Sequence, residues 1–96
     1  MFNLTTKDIQ SIWEAYFNDE SKFIFVYPSK RKKQWAILYM IAKDFNMHQT
    51  YSEKEVDAIL KTYHEDYVRL RRDLIDFKFF IRTKDGSIYE KQEVSL

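Results

Sequence analysis

The segment from Tyr51 to Tyr89, YSEKEVDAILKTYHEDYVRLRRDLIDFKFFIRTKDGSIY, decides how this chain is read. Ser52 with Glu55 three positions later is a capping box, and Tyr51 and Val56 stand where a hydrophobic staple would close around it. A helix is therefore expected from Glu53 to about Tyr63, with Val56, Ile59 and Leu60 facing inward and His64-Glu65 as the turn. A second helix is expected from about Asp66 to Phe77, because Tyr67, Leu70, Leu74 and Phe77 recur at helical spacing on one face. Phe79 to Thr83 and Ser87 to Lys91 are β-type runs joined through Lys84-Asp85-Gly86. Asp-Gly between two such runs is a strong hairpin signal. Helix, turn, helix and hairpin in that order make the winged form of the helix-turn-helix. The expected fold class is α+β, a winged helix-turn-helix with an extra N-terminal helix and strand and a C-terminal β-hairpin wing.

Upstream, Thr5 with Asp8 repeats the capping-box spacing and opens a helix expected over residues 5–18. Ile9, Ile12, Trp13, Tyr16 and Phe17 form its apolar stripe. The stripe packs on the domain or buries against a second copy. A homodimer through this helix is the expectation, since helix-turn-helix proteins commonly pair to read two half-sites. Lys22 to Tyr27 is β-rich and ends at Pro28, which cannot donate to a ladder. It is expected to join the C-terminal hairpin as an added strand, with Phe23, Phe25 and Tyr27 facing the core. Were they exposed, single-stranded RNA could stack on them. Ser29 to about Asn46 is a further helix, capped by Ser29. Its middle carries no charge from Gln34 to Ala42, as expected of a helix covered on several sides.

Composition bounds the rest. Ninety-six residues suffice for one domain, spanning 1–96 with a core over residues 22–91. Aromatic residues make up 18% of the chain, and each buried ring removes a large area from water. No cysteine is present, which excludes disulfides and thiol chemistry. Met1 to Asp8 lack the regions of a signal peptide, and no apolar run is long enough to span a bilayer, so a cytoplasmic protein without membrane contact is expected.

The net charge is only +1, but it is segregated: residues 1–28 sum to −2, 29–43 to +5, 44–66 to −4 and 67–91 to +3. A local basic patch can steer a polyanion even in a near-neutral protein. Lys30, Arg31, Lys32 and Lys33 crowd a helix N-terminus, where the dipole disfavours cations and free N–H groups favour an anion. Arg69, Arg71 and Arg72 lie on the second helix of the opening segment, and Arg82 and Lys84 on the wing. These nine residues are the expected DNA contacts. Against them stand Asp66, Asp73 and Asp76, expected on the solvated face, with Arg69 pairing to Glu65 and Asp73 and Arg72 to Asp76. A protein-interaction adapter is therefore the alternative function. His48 and His64 sit in no metal-ligand or triad spacing, and a single glycine leaves no phosphate loop. No enzyme activity, cofactor or metal is expected.

Pro28-Ser29-Lys30, Lys33, Leu38, Phe45, Tyr51-Ser52-Glu53-Lys54-Glu55-Val56, Asp66, Leu70-Arg71-Arg72-Asp73-Leu74-Ile75-Asp76, Arg82 and Asp85-Gly86-Ser87-Ile88-Tyr89 resemble the bacterial domain-of-unknown-function family 2087. The resemblance covers roughly residues 22–91, and Lys78 stands where that family often has glycine. It implies a winged helix, alone or fused behind repressor-type helix-turn-helix domains, and transcription-related work.

Overall fold

A computed structural model describes residues 2–96. The chain runs α1 (Thr6–Tyr16), β1 (Phe17–Asn18), β2 (Phe23–Ile24), α2 (Arg31–Ala42), β3 (Thr50–Tyr51), α3 (Glu53–Leu60), α4 (Tyr67–Asp76), β4 (Phe80–Arg82) and β5 (Tyr89–Lys91). The class is α+β, with one antiparallel sheet of β1 and β2 and another ordered β3-β5-β4.

Both capping boxes form. Thr5 and Asp8 exchange bonds of 2.9 and 3.1 Å, and Ser52 and Glu55 exchange bonds of 2.8 and 3.1 Å. Each satisfies N–H groups that a helix start otherwise leaves unpaired. α2 is the centre of the core: Ala36, Ile37, Leu38 and Ile41 are wholly buried. α1 and α4 both pack on it, while α3 packs on α4. Phe45, Phe79 and Phe80 fill the space between α2 and the three-stranded sheet, with Phe45 and Phe80 edge to face at 4.8 Å.

β2, the strand formed within the Lys22–Tyr27 run, departs from expectation. It pairs with Phe17–Asn18 rather than with the hairpin, and Thr50–Tyr51 takes the third place in the sheet instead. Asn18 causes the reversal: its side chain accepts from the Ser21 N–H at 2.9 Å and its carbonyl from the Lys22 N–H at 2.8 Å. This turn ends α1 at Tyr16, and Lys22 completes it in the left-handed region at φ 58°. The outer edge of β2 is held by the α3–α4 turn. The Ile24 N–H donates to the Tyr63 carbonyl, and His64 Nδ1–H donates to the Ile24 carbonyl, both at 2.6 Å. Ile24 thus points into the core, and Phe25, expected inside, is 64% exposed.

Ser29 does not cap α2. Lys30 holds the cap position without a side-chain bond, because buried Gln34 donates to the Pro28 and Ser29 carbonyls at 2.9 and 3.4 Å and keeps that entry extended. Trp13 stacks on Phe17 at 4.5 Å, and both rings meet Tyr63, whose hydroxyl donates to Asp44. The aromatic stripe of α1 is therefore packed within the chain.

Candidate nucleic-acid interface

The spacing of α4 sets the site. Leu70, Leu74 and Phe77 are buried, and so is Asp73, at 3% exposure. The sequence pattern had put Asp73 on the solvated face. It lies three residues after Leu70 and four before Phe77, which is the edge of the buried stripe. Its carboxylate accepts from the Tyr27 hydroxyl at 2.9 Å and from Arg69 Nε at 3.0 Å, and lies 3.9 Å from Arg31 Nη1. Arg31 lies over the Phe77 ring at 3.9 Å. Burial and then the Asp73 charge push the Tyr27 phenol far above its usual range, so it stays a hydrogen-bond donor. Side-chain bonding to Asp73 raises the Arg69 guanidinium further.

Asp66, although exposed, is engaged at the start of the helix. It caps α4, accepting from the Arg69 N–H at 3.2 Å. The outward surface of α4 then presents Val68, Arg69 and Arg72, with Asp76 near its C-terminal end. Among the described residues, the expected pairs Arg69–Glu65 and Arg72–Asp76 do not form, and Arg72 has no acidic partner.

The nine expected contacts do not form one patch. Arg31 turns toward α4, whereas Lys33 lies 5.8 Å from the Tyr16 ring and Lys32 sits near α1, where it adds a little to the lowering of the Asp8 carboxyl caused first by the Thr5 hydrogen bonds. Lys30 and Lys84 are exposed. Arg71 bridges α4 to α3, donating to Asp57 and standing 3.6 Å from Glu53. Arg82 curls over its own turn, donating to the Thr83 and Lys84 carbonyls at 3.1 and 3.3 Å. The wing tip is locked by Asp85, which accepts from Thr83 and Ser87 and is lowered to about 2 by those bonds. Gly86 closes the turn at φ 73°; a Cβ there would meet Arg82 Nη1 at 3.3 Å and Glu53 Oε2 at 3.5 Å. The register sets Arg82 opposite Tyr89.

Between α4 and the wing lies an open cleft of about 320 Å³. Its polar floor is Glu53, which accepts from the Tyr89 hydroxyl at 3.1 Å. Arg71, Arg72 and Arg82 line it against Glu53, Asp76 and Asp85, with Val68 and Ile75 as its apolar wall. Glu53 was not among the expected site residues. Nothing in its spacing distinguishes it from an acid placed in a first turn to suit the dipole.

Over residues 24–91 the chain matches a family described as an uncharacterised protein conserved in bacteria, DUF2087. It belongs to that family. The match begins inside β2 and leaves α1 and β1 outside it. No curated protein matches the chain, and no solved structure does. Lys78, just past the end of α4, takes the left-handed conformation at φ 66° that glycine favours. It closes a Schellman end, with the Phe79 N–H donating to Leu74 at 2.9 Å and the Lys78 N–H to Ile75 at 3.0 Å. No helix among the described residues is long and apolar enough to cross a membrane, and no acidic or histidine cluster there could hold a metal.

Proposed function

We propose that this member of the family is a DNA-binding, transcription-regulator-like module of winged-helix form. The order α2, β3, α3, α4, β4, β5, with β3 beside β5 beside β4, supports the winged-helix reading. The observation that carries the function is the inward turn of Asp73. With Asp66 capping the helix and Asp73 buried, the first two turns of α4 offer Val68, Arg69 and Arg72 outward. Arg31 stands beside them on the same carboxylate. Side chains near the start of a recognition helix are the ones that reach base edges. Lys30, Lys32 and Lys84 would add phosphate contacts from the flanks.

Fluorescence anisotropy with mixed-sequence duplex tests this. About four phosphate contacts give a log–log salt slope near −4. Arg72→Ala should weaken a preferred site more than random DNA, and reversing Lys32 and Lys33 to Glu should weaken both alike. Absence of binding at micromolar protein and low salt would overturn the assignment.

The cleft favours a second reading. Its arginines and acids are evenly interleaved around Val68 and Ile75, which suits a protein segment of mixed charge better than a uniform polyanion. Failure of DNA binding would promote this adapter role. Pairing of two copies through α1 would have to use its outer residues, and sedimentation velocity at high concentration separates a pair from a single chain.

A further inference from the structure

The C-terminal end of α2, the end of β5 and the tail enclose a second, mostly apolar pocket of about 190 Å³. Tyr39, Ala42, Met47, Phe79 and Val94 form its body. None of its lining residues belongs to the α4 cleft. Lys43 and Lys91 also line it. Lys91 Nζ donates to the Phe45 carbonyl at 3.1 Å, which fixes the ammonium in place. Among the described residues neither lysine forms an ion pair, and Glu93, the acid of the lining, forms none either. Partial burial and then repulsion from Lys43 pull Lys91 below its ordinary value. Lys43 lies 5.4 Å from the Tyr39 ring, so two cations without an acidic partner stand beside an apolar pocket, which describes an anion site with a greasy floor.

We propose that this pocket binds a small organic carboxylate with a single-ring or short branched apolar body. Size sets the body: a cavity of about 150 Å³ accepts one benzene ring. Charge sets the head, since a carboxylate between Lys43 and Lys91 relieves their repulsion and gains charge-assisted hydrogen bonds. A phosphate monoester head is less suited, because Glu93 shares the rim and would repel the second charge.

Titrating the full chain with phenylacetate, followed by the methyl resonances of Val94 and Met47, tests the proposal. A saturable shift with a dissociation constant on the order of 0.1–1 mM is expected for a ligand this small. Phenylacetamide, the same shape without the charge, should bind about tenfold or more weakly. Lys43→Met, which removes an exposed side chain, should weaken phenylacetate similarly and leave phenylacetamide unchanged. Val94→Trp should block both by filling the cavity from the tail. Linear, unsaturable shifts would overturn the site. Equal affinity for acid and amide, or indifference to Lys43→Met, would overturn the carboxylate assignment.

Discussion

Replacing Asp73 by alanine should be among the costliest single changes outside the apolar core. The carboxylate is buried and is the acceptor for the half-buried Tyr27 hydroxyl. Leaving that hydroxyl unpaired costs about 1–3 kcal/mol. The lost Arg69 contact adds only about 0.3–0.5 kcal/mol, because the guanidinium is 44% exposed and regains water. Arg31, at 3.9 Å and 53% exposed, adds little. The sum is about 1.3–3.5 kcal/mol, and for a domain of this size each kcal/mol moves Tm by about 4–8 °C. The informative experiment is a cycle with Tyr27→Phe, read by urea unfolding through Trp13 and Trp35 fluorescence. The double variant removes donor and acceptor together and leaves no orphan, so it should recover about 1–2 kcal/mol relative to the sum of the single changes. Strict additivity would refute the hydroxyl–carboxylate bond as the source of the cost.

Lys78→Gly should raise stability. Relief of the left-handed strain, about 1–2 kcal/mol, exceeds the roughly 0.4–1 kcal/mol that glycine adds to unfolded-chain entropy, and a lowered urea midpoint would contradict the Schellman end. Ser52→Ala should cost about 0.5–2 kcal/mol through the lost cap of α3, and an unchanged midpoint would remove that capping box from the account. Asp85, held at about 2 in the folded wing against an ordinary 3.8, contributes stability above its unfolded value. That contribution should fade as pH falls from about 4 towards 2. A side-chain carboxyl resonance titrating near 3.8 would mean the Thr83 and Ser87 bonds are not holding it.

Local signals were legible where a few neighbouring residues decide the outcome. Both capping boxes, the hairpin through Asp85-Gly86 and the inward stripe of Leu70, Leu74 and Phe77 were readable because each is settled within one or two turns. Partner choice across the chain was not. The residues Lys22 to Tyr27 read as a strand for the C-terminal hairpin, but the short Asn18–Lys22 turn pairs it with Phe17–Asn18 instead. Asp73 was misplaced because its charge argued for solvent while its spacing argued for the core. The partner that resolves the conflict, Tyr27, lies 46 positions away. The four basic residues at the start of α2 looked like one patch in sequence, yet a helix turns each by about 100° from the last, and they fan out toward α4 and α1.

The enclosure of α2 also has a kinetic face. Its amides are hydrogen-bonded beneath α1 on one side and α4 on the other, with Ala36, Ile37, Leu38 and Ile41 sealed from solvent. Deuterium can reach them only when the surrounding helices separate, so their exchange reports global opening. The wing beyond Arg82 is tied by side-chain bonds at the surface, so its amides should exchange before those of α2. Between these limits α1, packed on α2 and continued by β1 into a two-residue ladder with β2, forms an intermediate tier. The chain is thus a graded hierarchy of opening units, with its least yielding helix at the centre.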